Sequence, residues 1–134
     1  KISAKPKLAF TFSGQGTQYP DMGRQLYHSN PYFANIIDYC NEIVLSISKK
    51  DLLKETGLFG DLPVNEENLM DPQYSFLAIG IIQLALVEFW KAYGVEPSLV
   101  FGHSMGEVAA AYAAGILTLE DAILLLYHYG LISQ

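Results

Sequence analysis

Positive charge is scarce in this sequence. All eight Lys and Arg precede Ala92, Arg24 is the only arginine, and the formal net charge is −6. Nothing here would grip a phosphate backbone, so a nucleic-acid partner is excluded. Cysteine is nearly absent as well. Cys40 stands alone, so no internal disulfide is expected, no metal-ligand spacing surrounds it, and a reducing, cytoplasmic setting fits. The opening stretch KISAKPKLAF has no long apolar run before a cleavage-like site, so it does not read as a signal peptide. The most apolar run, FLAIGIIQLALVEFW at 76–90, carries Gln83 and Glu88. It is short for a bilayer span and reads as a buried helix, with no membrane partner.

What is present suits a packed core. The chain has 134 residues, 51% of them apolar, with 9 Tyr and 7 Phe. That is at most one domain. LAFTFS at 8–13 reads as a buried strand running into the glycine loop GQG. A short helix is expected over 20–28, starting at Pro20. A clearer one begins where Asn30 caps and Pro31 takes the first position, with Phe33, Ile36, Ile37, Cys40, Ile43, Val44 and Ile47 at helical spacing. DLLKETG at 51–57 reads as a short helix ended by Gly57, and 58–73 as a solvated loop. A long helix is expected from Gln73 to Tyr93, a second buried strand at SLVFG, a helix from Ser104 to near Gly115, and a last one from Thr118 onward. Alternating strands and helices predict an α/β fold with parallel strands. Two strands make a poor parallel sheet alone, so the pattern reads as part of a domain. Such a chain is expected to expose apolar sheet and helix surface and to be prone to aggregation.

VFGHSMGEVAAAYAAG, at 100–115, sets a serine between two glycines immediately after an apolar strand. A nucleophile elbow needs this spacing. The turn presents the serine hydroxyl at its tip and crowds the residues two before and two after. Gly102 and Gly106 relieve that crowding because they lack Cβ. The helix behind Ser104 aims its free N–H groups and positive end at the hydroxyl, and the Met105 N–H is placed to stabilise an oxyanion. A plainer reading exists. Ser104 and Glu107 form S-x-x-E, a capping box, and Thr118 with Asp121 repeats the device where no chemistry is assigned. Capping alone does not ask for glycine on both sides, so the elbow is favoured.

With FTFSGQGTQYPDMG near the start, the paired motifs resemble the acyltransferase family: malonyl-CoA:acyl-carrier-protein transacylases and the acyltransferase domains of fatty-acid and polyketide synthases. The segment from Phe89 to Gly130 is similar to that family almost residue for residue, and the resemblance covers nearly the whole chain from Lys7. It implies an α/β-hydrolase-like large subdomain with a short parallel sheet flanked by helices. Residues 1–6 would be a linker remnant and 7–134 the N-terminal portion of the domain, with the ferredoxin-like small subdomain absent. It also implies that Ser104 takes an acyl group from coenzyme A as an ester and passes it to the phosphopantetheine thiol of an acyl carrier protein. Both thioesters are substrates, and no bound cofactor or metal is implied. The loop Gly14-Gln15-Gly16 would face the elbow, with the Gln15 N–H joining that of Met105 as oxyanion hole. His103 and Tyr129 would lie at the substrate.

Three departures qualify the resemblance. The family's base is a histidine far downstream of the serine, and none of His28, His103 and His128 matches it. The arginine that grips a malonyl carboxylate falls here on Tyr129. The helix from Ser104 runs out about 16 Å at ~1.5 Å per residue and the next returns as far, so residue 129 should end near the elbow. Tyrosine offers one neutral hydrogen bond where arginine would clamp with two charged ones. Third, the family's Gln-Pro-Ala has no clear counterpart in PQYSFLA, where Gln73 is near but out of register. Two other functions compete: a non-catalytic module that keeps the fold, and a serine esterase, against which the GQG strand argues.

Overall fold

The computed structural model describes residues 7–134, so the linker remnant expected at 1–6 lies outside the described residues. Two short strands, β1 (Ala9–Phe12) and β2 (Leu99–Gly102), pair in parallel with Ala9 opposite Leu99 and Phe12 opposite Gly102. Between them run five helices: α1 (Arg24–Ser29), α2 (Pro31–Ser48), α3 (Leu52–Thr56), α4 (Glu66–Met70) and α5 (Pro72–Ala92). After β2 come α6 (Gly106–Ala113) and α7 (Leu119–Ile132). The architecture is the expected mixture of helices and a short parallel sheet.

The helix starts follow from side-chain caps. Asn30 accepts the Phe33 N–H, Asp51 that of Lys54, Asp71 that of Gln73 and Thr118 that of Asp121, each satisfying a donor the helix leaves free. Two expectations need correction. The helix read over 20–28 starts only at Arg24, because Gly23 before it is left-handed at φ 70°. The stretch 58–73 is not all loop: Asn65 accepts the Asn68 N–H and starts α4. The sequence N-E-E-N carried that signal, a capping residue followed by acidic first-turn residues.

The core lies where α5 packs against α2, α4, α6 and α7. Phe33, Ile37, Cys40 and Val44 of α2 are buried, and Ile36, Ile43 and Ile47 pack against them. At 21 residues α5 is long and apolar enough to cross a membrane by length and composition. Run length alone therefore does not exclude a span for the full helix. Burial identifies it instead as the core helix, with Leu77, Ala78, Ile81, Leu84 and Ala85 all enclosed. The strands, read as buried from their apolar residues, are instead largely exposed, as the expectation of an exposed apolar sheet surface has it. Leu8 is 42%, Leu99 55% and Phe101 56% exposed, so the sheet shows apolar surface rather than burying it.

Burial gives the core a pH signature. It pushes the Cys40 thiol from an ordinary 9.0 up to about 12, and burial followed by a 2.6 Å hydrogen bond to Glu88 pushes the Tyr112 phenol up as well. The folded chain keeps protons that the unfolded chain releases above about pH 9. This contribution to stability is fully present below that pH and lost as the pH rises toward 12. The urea midpoint is expected to fall between pH 8 and pH 10.5, and iodoacetamide is expected to reach Cys40 at pH 8 only in denaturant. An unchanged midpoint together with rapid alkylation of the folded chain would contradict the burial.

Candidate functional site at the strand–helix elbow

β2 ends at Gly102 and α6 begins at Gly106, so a three-residue turn holds Ser104. Ser104 has φ 57°, a left-handed conformation that costs a residue with a Cβ about 1–2 kcal/mol. The helix expected from Ser104 starts at Gly106 instead, and Ser104 does not cap it, in keeping with the elbow favoured over the cap. The cap position is Met105, in right-handed conformation and without a side-chain cap bond. Thr118 shows what a cap looks like in this chain, with extended backbone and its hydroxyl accepting the Asp121 N–H at 3.1 Å. The Ser104 hydroxyl is exposed and makes no hydrogen bond to another described residue.

The close approach of strand and helix explains the glycines. A Cβ on Gly102 would collide with the Glu107 backbone, and one on Gly106 with Phe12 O and, at 2.8 Å, Ser13 O. The elbow is thus wedged against the end of β1, where the His103 N–H donates to Phe12 O at 2.9 Å. The first turn then uses its donors in order: Gly106 N–H to His103 O, Glu107 N–H to Ser104 O, and Val108 N–H to Met105 O. The Met105 N–H, next to Ser104, is not used by any described residue.

The GQG loop meets this turn. A Cβ on Gly14 would sit 2.9 Å from Ser104 Cβ and 2.8 Å from His103 O, so glycine is required for the contact. Gln18 braces the loop. Its Oε1 accepts the Gly16 N–H at 2.8 Å, and its buried Nε2 donates to Leu69 O. Thr17 Oγ1 donates to Gly14 O at 2.8 Å, and Gln15 Nε2 reaches Ser75 Oγ at 3.4 Å. From α5, Gln83 Nε2 donates to Ser13 O at 2.8 Å.

Ser104 opens on a cleft of about 560 Å³. Met105 and Tyr129 line it too, as do Phe76, Glu107, Val108, Ala111, Leu117, Leu125 and Ser133. The return of α7 brings Tyr129 to the cleft that Ser104 also lines. That return is tight, because Gly130 lies so close to α5 that a Cβ there would meet Pro72 O at 2.7 Å. Gln15 and His103 are not among the lining residues; the His103 ring lies beside Gly14 instead. His28 binds Phe59 O through Nε2 at 2.9 Å, and His128 is exposed on α7 against Tyr127. Neither lines the cleft. Gln73 lines a separate small void beside Tyr74, whereas Phe76, one turn on, faces Ser104's cleft. The sequence reading had missed Phe76, Gln18 and the cleft role of Glu107. Phe76 and Glu107 stood in plain helical register, but nothing local marked them.

Residues 9–134 match the family model described as acyl transferase domain. Polyketide synthase 2 of Metarhizium robertsii is 40% identical over 122 residues, which are 91% of this chain and 5% of that protein. The acyl transferase domain of ZmaA superposes with a TM-score of 0.86 at 32% identity, over 95% of this chain and 29% of that one. A malonyl-transacylase, PlMCAT, solved in complex with the type II polyketide synthase acyl-carrier protein AntF, superposes with a TM-score of 0.75 at 27% identity. That match covers 96% of this chain and 39% of that one.

Proposed function

This chain belongs to the acyl transferase domain family, and from that premise we propose that Ser104 is the nucleophile of a two-step acyl transfer. The donor is a coenzyme A thioester and the acceptor is the phosphopantetheine thiol of an acyl carrier protein. The observation that carries the reading is the left-handed Ser104, whose hydroxyl has no hydrogen-bond partner among the described residues and which lines a cleft. Strain of this kind persists where the surroundings over-determine it, which is common at reacting groups.

In the first step Ser104 Oγ attacks the thioester carbonyl. A C–O bond forms, the C–S bond breaks, and the serine's proton ends on the departing coenzyme A thiol. In the second, the carrier's thiol attacks the serine ester. A C–S bond forms, the C–O bond breaks, and the thiol's proton returns to Ser104. The Met105 N–H would stabilise the oxyanion in both steps, joined by the Gln15 N–H. Among the described residues no histidine lines the cleft, and Glu107 is the carboxylate there. The AntF complex supports a carrier protein as partner, and the Metarhizium relative supports a place among other domains of a synthase. A reducing, cytoplasmic setting would keep the carrier's thiol reactive.

The competing reading is a module that keeps the fold without its chemistry. Intact-mass spectrometry separates the possibilities. Incubation with an acyl-CoA is expected to add one acyl mass, and addition of holo carrier protein to move that mass to the carrier. Loss of the acyl group to water without carrier acylation would indicate an esterase. No added mass on a folded sample would indicate the non-catalytic module.

A further inference from the structure

The Gln15 N–H belongs to the peptide unit that joins Gly14 to Gln15, so its direction is set by whatever holds the Gly14 carbonyl. A trans peptide is planar, and its N–H points opposite to its C=O. Thr17 Oγ1 donates to Gly14 O at 2.8 Å, and that bond fixes the whole unit. The next unit is held separately. The Gly16 N–H donates to Gln18 Oε1 at 2.8 Å, and Gln18 Nε2 is anchored on Leu69 O. The elbow orients its own donor in the same way. The Met105 N–H shares a peptide unit with Ser104 O, which accepts the Glu107 N–H at 3.1 Å. There the first turn of α6 supplies the bond, and the loop has no helix to do so. Gly14 must be glycine for its contact with Ser104, and Gly16 is left-handed at φ 100°. Glycine therefore flanks Gln15 on both sides, and the backbone there turns easily. A side chain is needed to hold the unit in one orientation, and Thr17 supplies it.

We infer that Thr17 is a positioning residue, whose hydroxyl holds the Gly14–Gln15 peptide so that the Gln15 N–H meets the oxyanion formed at Ser104. This rests on Ser104 as the acyl acceptor and on Gln15 and Met105 as oxyanion donors. Thr17 takes no proton in the reaction and acts only through the peptide it holds. It governs the rate of bond formation and not donor binding, because the oxyanion forms only after the donor has bound.

Thr17→Val deletes the hydroxyl at similar side-chain size, and Thr17→Ser keeps it. Thr17→Ala repeats the deletion with less bulk, should the valine disturb folding. The saturating rate of acylation by acetyl-CoA or malonyl-CoA, whichever Ser104 takes, is expected to fall about tenfold to a hundredfold in Thr17→Val. The half-saturating donor concentration and the urea midpoint should stay near the parent's, since Thr17 is exposed. Thr17→Ser should restore most of the rate. In isotope-labelled chains, the backbone amide resonance of Gln15 is expected to move and broaden in Thr17→Val and to return in Thr17→Ser. A Thr17→Val chain with the parent's rate, or with an unmoved Gln15 resonance, would overturn the inference. So would a rate loss that Thr17→Ser does not rescue, or one that arises only from weaker donor binding. If the folded parent takes no acyl mass from either donor, the nucleophile reading falls instead, and the Gln15 resonance still decides the placement.

Discussion

A Ser104→Gly chain is expected to gain stability while losing all acylation, and the opposite signs identify the serine's role. Glycine enters the left-handed region without the Cβ clash that a φ of 57° imposes on serine. The gain should be about 1 kcal/mol. Ser104→Ala keeps the Cβ and with it the strain, so its stability should stay within about 0.5 kcal/mol of the parent. Both variants lose the attacking oxygen. Removing a serine nucleophile costs about 10⁶-fold in turnover where this has been measured, so neither should carry an acyl mass after incubation with acyl-CoA. Urea denaturation and intact-mass spectrometry on the three chains make the comparison. A serine that merely capped α6 would behave otherwise. Its loss to alanine would cost about 1 kcal/mol, and the acyl mass would persist.

Gly106→Ala should be among the most damaging single methyl groups in the described residues. Its Cβ would press into Phe12 O and Ser13 O, backbone atoms that cannot move aside like a side chain. Relief requires α6 to separate from the end of β1, which breaks the bond from His103 N–H to Phe12 O and the packing of the elbow. The loss should be about 3 kcal/mol or more, at the upper end of overpacking costs. Gly115→Ala is the control. Gly115 is also left-handed, at φ 82°, but its Cβ would meet nothing within 4 Å. That change should cost only the backbone strain, about 1 kcal/mol. Similar midpoints for the two variants would mean that the strand and the helix do not touch at Gly106.

Much of the architecture was legible because it is written in short-range terms. Asn30, Asp51, Asp71 and Thr118 cap helices through atoms two or three residues away, and the spacing of Phe33, Ile37, Cys40 and Val44 declares the buried face of α2. The misreadings came from the same horizon. Gly23 delays α1 through its own backbone conformation, which no apolar pattern reports. Asn65 starts a helix inside a charged stretch, where solubility and helix formation have the same composition. Hydrophobicity alone reads the strands as buried, but burial depends on what packs against a strand.

By itself, the sequence determined that β1 runs into a glycine loop, that β2 runs into a turn with glycine on both sides of a serine, and that a helix follows. These follow from residue type and from neighbours within one turn. Only the tertiary structure decided between cap and elbow for Ser104, because S-x-x-E is compatible with both and the deciding quantity is a backbone angle imposed by packing. Only it brought Phe76 and Tyr129 to the same cleft, tied Gln18 to Leu69 O across 51 positions and Gln83 to Ser13 O across 70. Contacts at such separations arise from how helices stack on a sheet, and no local pattern of side chains encodes them.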